Sequence, residues 1–263
     1  MEGVTPPTGE PEADALLPLL RDGIAAALEP EPRLLGLYLY GSLATGDFTP
    51  GASDIDPLAV AGGPITPAVI DRLRPMHAAI VAQQPHWDDR VEVVYAPRQG
   101  LAAFRAQVMD IGVISPGEPL HIVAAGVDWL MNWHQARYAG AVLWGPPAAT
   151  LVPETTVAEY VAAVRDHAAA FGEWMPAMTS ARQQSYAVLT LTRALYTVRH
   201  GRGASKAAAA AWLARESPGH APLLDQALRW REHPPADPTA APRALRETRR
   251  FVAAMQAEVA ASG

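Results

Sequence analysis

Apolar positions follow two rhythms along the chain. Leu16, Leu17, Leu20, Ile24 and Leu28 recur at helical spacing, laying one apolar stripe along a helix that stops at Pro30. Residues 34–40 form a short continuous apolar run and 54–60 a second, the length and bounding expected of buried strands. Gly46, Pro50 and Gly51 mark the turn between them. Thr66 followed by Pro67 opens a helix predicted to reach about Gln83. Residues 90–95 alternate and are rich in valine, which predicts a third strand. From about residue 100 the pattern reads as almost wholly helical, with helices expected near 119–139, 156–172, 181–199, 205–215, 221–232 and 240–260. Strand, strand, helix, strand and then helices make an α/β or α+β arrangement. The Gly145-Pro146-Pro147 break suggests two domains, 1–150 and 151–263. Residues 1–12, rich in Pro, Gly and Glu, are expected to be a loose tail.

Composition narrows the classes of function. The net charge of −6 argues against broad nucleic-acid binding, which needs basic surface to displace counterions. The chain has no cysteine, so disulfide frameworks and thiolate metal sites are excluded. That composition, no basic-then-apolar leader at the N-terminus and no bilayer-length apolar run lead us to expect a cytoplasmic protein with no membrane partner. The eight histidines are scattered and read as surface residues. Gly201 to Lys206 lacks the spacing of a phosphate-binding P-loop, and no zinc-protease or nucleophile-elbow motif is present.

The chemistry concentrates in Gly41-Ser42 and Ser53-Asp54-Ile55-Asp56. Carboxylates at i and i+2 of a strand point to one face, where like charges repel unless a cation lies between them. Magnesium carrying a nucleoside triphosphate is such a cation, and it would draw charge from the attacked phosphorus. Glu92, a lone acid in Val91-Glu92-Val93-Val94-Tyr95, is the third carboxylate and a candidate base. Asp54, Asp56 and Glu92 are therefore the candidate metal ligands and catalytic residues. Gly41 lets a backbone approach a phosphate closely, and the Ser42 hydroxyl can donate to one. Ser53 either orients Asp54 or binds phosphate.

These residues and their spacing resemble the polymerase-β-like nucleotidyltransferase superfamily. The segment from Ala187 through Arg193 to Tyr196, then Gly201, Lys206 and Trp212, is similar to the C-terminal domain of the aminoglycoside 3''-adenylyltransferases. Asp128 followed by Ala141-Val142-Leu143-Trp144-Gly145-Pro146 extends the likeness. The resemblance implies an α+β protein: a nucleotidyltransferase domain with a mixed sheet, then an all-α bundle. It implies transfer of AMP from MgATP to a hydroxyl of a small acceptor, by a monomer. Gly41, Ser42, Ser53, Asp128, Arg193, Lys206 and Trp230 would contact ATP, and Gln183 and Tyr186 stand where the family meets its drug.

The chain also departs from that family. Gln183 and Tyr186 replace an acid and an asparagine; loss of the carboxylate would weaken binding of a cationic group by about 1–3 kcal/mol. No tryptophan lies between Glu92 and Asp128, and Pro57 replaces an aliphatic residue and removes a ladder donor. Two other readings follow: a nucleotide-binding protein that has lost turnover, or an enzyme that modifies a protein hydroxyl.

Overall fold

The computed structural model describes residues 8–174 and 177–262, and the chain divides into compact units at Thr155/Thr156. In the first unit α1 (Pro11–Leu28) leads into β1 (Leu34–Tyr40), a single helical turn α2 (Gly41–Ala44), β2 (Asp56–Ala61) and α3 (Pro67–Gln83). Then come β3 (Val93–Pro97), α4 (Arg98–Ala103), β4 (Met109–Ser115), β5 (Glu118–Ala125), α5 (Leu130–Tyr138), β6 (Ala141–Trp144) and α6 (Ala148–Leu151). The sheet runs β5-β4-β3-β2-β1-β6. Only the central β2–β3 pair is parallel; β1–β2, β1–β6, β3–β4 and β4–β5 are antiparallel.

Both faces of the central strands are buried. Leu37 and Leu39 of β1, Ile55, Ala59, Val93 and Tyr95 join the α1 stripe and Val69, Ile70 and Leu73 of α3 in one core. Each such aliphatic side chain withdrawn from water contributes about 1.5–3 kcal/mol. The α3 start has the expected cap, Thr66 Oγ1 accepting from the Val69 amide. Tyr38, Leu58, Val60 and Val94 are equally buried on the opposite face, the side to which alternation assigns Tyr40 and Asp56.

The structure corrects the reading of residues 100–145. Residues 109–125 form an antiparallel hairpin rather than the start of a helix, and 141–144 form an edge strand. Period-2 alternation here is broken by half-exposed positions: Leu120 is buried while His121, Ile122 and Val123 are all partly exposed. That pattern mimics a helical stripe. The expected loose tail begins to order early, because α1 starts at Pro11 and Thr8 bonds to Asp14; residues 1–7 lie outside the described residues.

The unit does not end at the Gly-Pro-Pro break. Tyr38 donates to the Pro146 carbonyl at 2.9 Å, Arg137 to the Ala149 and Val152 carbonyls, and Arg105 to that of Glu154. These bonds tie residues 146–154 to the sheet unit.

The second unit is helical throughout its described residues: α7 (Val157–Ala169), α8 (Phe171–Trp174), α9 (Ala181–His200), α10 (Lys206–Glu216), α11 (Ala221–Glu232) and α12 (Ala240–Ala261). Capping boxes start α7 (Thr156 with Glu159) and α9 (Ser180 with Gln183). Gly201, at φ +66°, ends α9 in the left-handed conformation. Leu189, Leu191, Leu195, Leu213, Leu224 and Phe251 are buried in this unit.

Candidate active site

Backbone register assembles the acidic row. β1 pairs with β2 so that Tyr40 lies opposite Asp56. β2 pairs with β3 from an isolated Ile55–Val91 bridge to Leu58–Val94 and onward, a register that sets Glu92 beside Asp56. Residues directly opposite one another share a face, so Tyr40, Asp56 and Glu92 form one row across three strands. The electrostatics agree: burial first, then the charges of Glu92 and Asp56, push the Tyr40 phenol well above its usual pKa. The hydrogen bond from Asn132 acts the other way.

Asp54 is not within a strand. The ladder begins at Asp56, and Ile55 alone bridges across, donating to the Arg90 carbonyl at 3.0 Å and accepting from the Glu92 amide at 2.9 Å. Glu92 likewise stands just before β3. The loop ahead of Asp54 is closed by Ser53, whose amide donates to the Thr49 carbonyl and whose hydroxyl accepts from the Thr49 amide. Arg90 adds two bonds to the Ser53 carbonyl and stacks over Trp87 at 4.4 Å. Ser53 is 5% exposed, so its position here is that of a loop-closing residue. Half-buried Asp54 lies two residues before Asp56, in the loop that leads into β2.

Gly41 is required by geometry twice over. Its φ is +71°, and a Cβ placed there would lie 2.1 Å from Asp56 Oδ2. The backbone of the Gly41-Ser42 turn is thus pressed against the Asp56 carboxylate. Ser42 sits in α2, half-exposed, its carbonyl accepting from the Asp47 amide.

The oxygen-only donor set suits a hard divalent cation. Asp56 and Glu92 are placed side by side by register, and Gly41 leaves the room that a side chain would take from Asp56. Among the described residues no three His, Asp or Glu side chains are already gathered around a cation-sized gap; register alone places Asp56 and Glu92 at neighbouring positions. A cavity of about 490 Å³ beside Arg33, Gly62 and Arg98 lies at the other end of β1 and β2 and includes none of these acids.

The remaining candidates are placed as follows. Asp128 is exposed in a 3-10 turn, Val127–Trp129, not inside an apolar helix, and its Oδ1 accepts from the Gly126 amide at 2.8 Å. In the second unit Lys206 is the first residue of α10, with its Nζ 5.7 Å from the Tyr186 ring. Arg193 acts on the Tyr160 phenol, and the Tyr160 hydroxyl lies against Gly203. Lys206 thus follows the Gly201–Ser205 loop directly, and the Tyr160 hydroxyl borders it. Gln183 is turned to the backbone: its Oε1 accepts from the Ser180 amide at 3.0 Å as half of the α9 capping box. Trp230 is 9% exposed and packs with Ala181 and Ala241 as a core residue. Sequence reasoning took Tyr40 for plain core and passed over Asn132; their placement beside the acids is set by register and by α5, which no local pattern reveals.

Comparisons with known proteins bear on the domains and the fold. Residues 23–93 match the profile of the nucleotidyltransferase domain, and residues 150–258 that of the aminoglycoside adenylyltransferase C-terminal domain. The chain belongs to the aminoglycoside adenylyltransferase family. Among solved structures it is similar to spectinomycin adenyltransferase AAD(9) from Enterococcus faecialis, crystallised with ATP and spectinomycin. That match has a TM-score of 0.75 at 16% identity and covers 93% of this chain and 98% of that one. At such identity the likeness is one of fold: a six-stranded mixed sheet with helices, followed by a helical region. No curated protein sequence matches significantly. The family and its nucleotidyltransferase domain make this member a transferase, and no helix among the described residues is long and apolar enough to cross a membrane.

Proposed function

We propose that this protein transfers AMP from MgATP to a hydroxyl of a small aminoglycoside-like acceptor and releases pyrophosphate. The observation that carries the reading is the row of Tyr40, Asp56 and Glu92, with Gly41 pressed against the Asp56 carboxylate. Asp54, Asp56 and Glu92 would hold magnesium, which when bound draws negative charge off the triphosphate. Glu92 takes the proton of the acceptor hydroxyl. The hydroxyl oxygen forms its bond to the α-phosphorus in line while the bond from that phosphorus to the β-phosphate oxygen breaks. Pyrophosphate leaves with the electron pair. The Gly41-Ser42 turn contacts the phosphates, and Asp128, Arg193 and Lys206 contact ATP by family resemblance. Because Gln183 is engaged in capping α9, it does not replace the missing acidic contact to a cationic acceptor.

A pyrophosphate-release assay over a panel of aminoglycosides and spectinomycin tests the reading. Release with one acceptor, lost in Asp56→Asn and Glu92→Gln, is the expected result. MgATP binding without release on any acceptor would instead favour a nucleotide-binding protein without turnover.

A further inference from the structure

One member of the acidic row has no part in the transfer as written. Tyr40 is 5% exposed at the end of β1, opposite Asp56. Its phenol oxygen accepts a hydrogen bond from Nδ2 of Asn132 at 3.3 Å, and Asn132 comes from α5, outside the sheet. A phenol has a single proton. With one lone pair taken by the Asn132 amide, the phenol proton is free to turn toward the side on which register places Asp56 and Glu92, where negative charge attracts it. The opposite orientation would aim the oxygen at two anions inside a buried site, where the field is weakly screened. A tyrosine that only filled the core would need one polar partner, and Asn132 would suffice; nothing in packing calls for two acids beside it.

We propose that Asn132 and Tyr40 are a positioning pair for the carboxylate row: Asn132 fixes the phenol, and the phenol O–H dipole holds Asp56 and Glu92 together against their mutual repulsion, ready for a divalent cation. The proposal rests on the reading of this row as a metal–nucleotide centre. Groups that orient metal-binding side chains from behind commonly set affinity by about tenfold or more.

The test is Mn2+ binding to the full chain in the presence of ATP, followed by electron paramagnetic resonance, for wild type, Tyr40→Phe, Asn132→Leu and the double variant, with Asp56→Asn as reference. Tyr40→Phe is expected to bind Mn2+ about tenfold more weakly and Asn132→Leu about threefold more weakly. The double variant should be no weaker than Tyr40→Phe, because Asn132 acts only through the phenol. If Asn132→Leu does not fold, Asn132→Ala takes its place. Thermal unfolding without metal separates a structural role, which would lower the melting temperature and leave Mn2+ affinity unchanged. Affinity within twofold of wild type in Tyr40→Phe, or losses that multiply in the double variant, would overturn the pair while leaving the metal reading intact. Absence of Mn2+ binding by wild type itself would overturn both.

Discussion

Replacing Gly41 with alanine tests the site through a single methyl group. The residue sits at φ +71°, where an L side chain costs about 1–2 kcal/mol. For a chain of this size that lowers the melting temperature by about 2–4 °C per kcal/mol. The added Cβ would also lie 2.1 Å from Asp56 Oδ2, so the carboxylate must retreat to at least 3.4 Å to reach ordinary contact, and a displacement of about 1 Å already costs about 100-fold when catalytic groups are held this closely. That factor equals about 3 kcal/mol of transition-state stabilisation. Gly46 supplies the control: its φ is also +71°, but a Cβ there meets nothing within 4 Å. Gly41→Ala and Gly46→Ala should therefore lose similar stability, and only Gly41→Ala should lose kcat/KM in the pyrophosphate-release assay. The reasoning is refuted if Gly41→Ala keeps activity within threefold of wild type, or if Gly46→Ala loses as much.

Other consequences follow from groups away from the row. His77 is buried with Nε2 2.7 Å from the Tyr95 hydroxyl, and burial lowers its pKa from 6.5 to about 4. The unfolded chain takes up the proton first, so this contribution is whole above pH 6.5 and falls by about 3 kcal/mol as pH drops toward 4. Urea unfolding across that window should show a shallower loss in His77→Gln; equal slopes would exclude the assignment. Gln183→Ala removes the Gln183 side-chain half of the α9 capping box while Ser180 still caps the helix, and should cost about 0.5–1.5 kcal/mol in unfolding free energy, while the acceptor KM stays at the wild-type value. A raised KM with unchanged stability would return Gln183 to the substrate. Trp230→Ala should cost about 3–5 kcal/mol by opening a cavity, measured by calorimetry. A change confined to the KM for ATP would instead make it a nucleotide contact.

Much of the fold was legible because single elements carry strong local signals. The Leu16–Leu28 stripe marks an amphipathic helix, and α3, α7, α9 and α10 start at residues whose side chains bond the first turn, so local chemistry and packing agree. The hairpin at 109–125 was misread because its outer face is only partly covered, and partial exposure of successive residues erases the period-2 signal. His77 was read as surface because histidine is polar; its burial depends on the Tyr95 hydroxyl, which α3 meets only in three dimensions.

For the site, sequence alone determined which residue types could do the chemistry. Two aspartates two apart, an acid in a valine run and a Gly-Ser turn after an apolar strand are local facts, since side-chain direction along an extended backbone is fixed by its pleat. What the sequence left undecided was which of those side chains face one another. A β-ladder joins residues far apart in the chain, and a slip of one position would send Glu92 to the opposite face. The Ile55–Val91 bridge and the Tyr40–Asp56 pairing set that register, and the placement of α5 brings Asn132 to Tyr40. Those are long-range pairings, decided by the packing of the whole sheet and its helices.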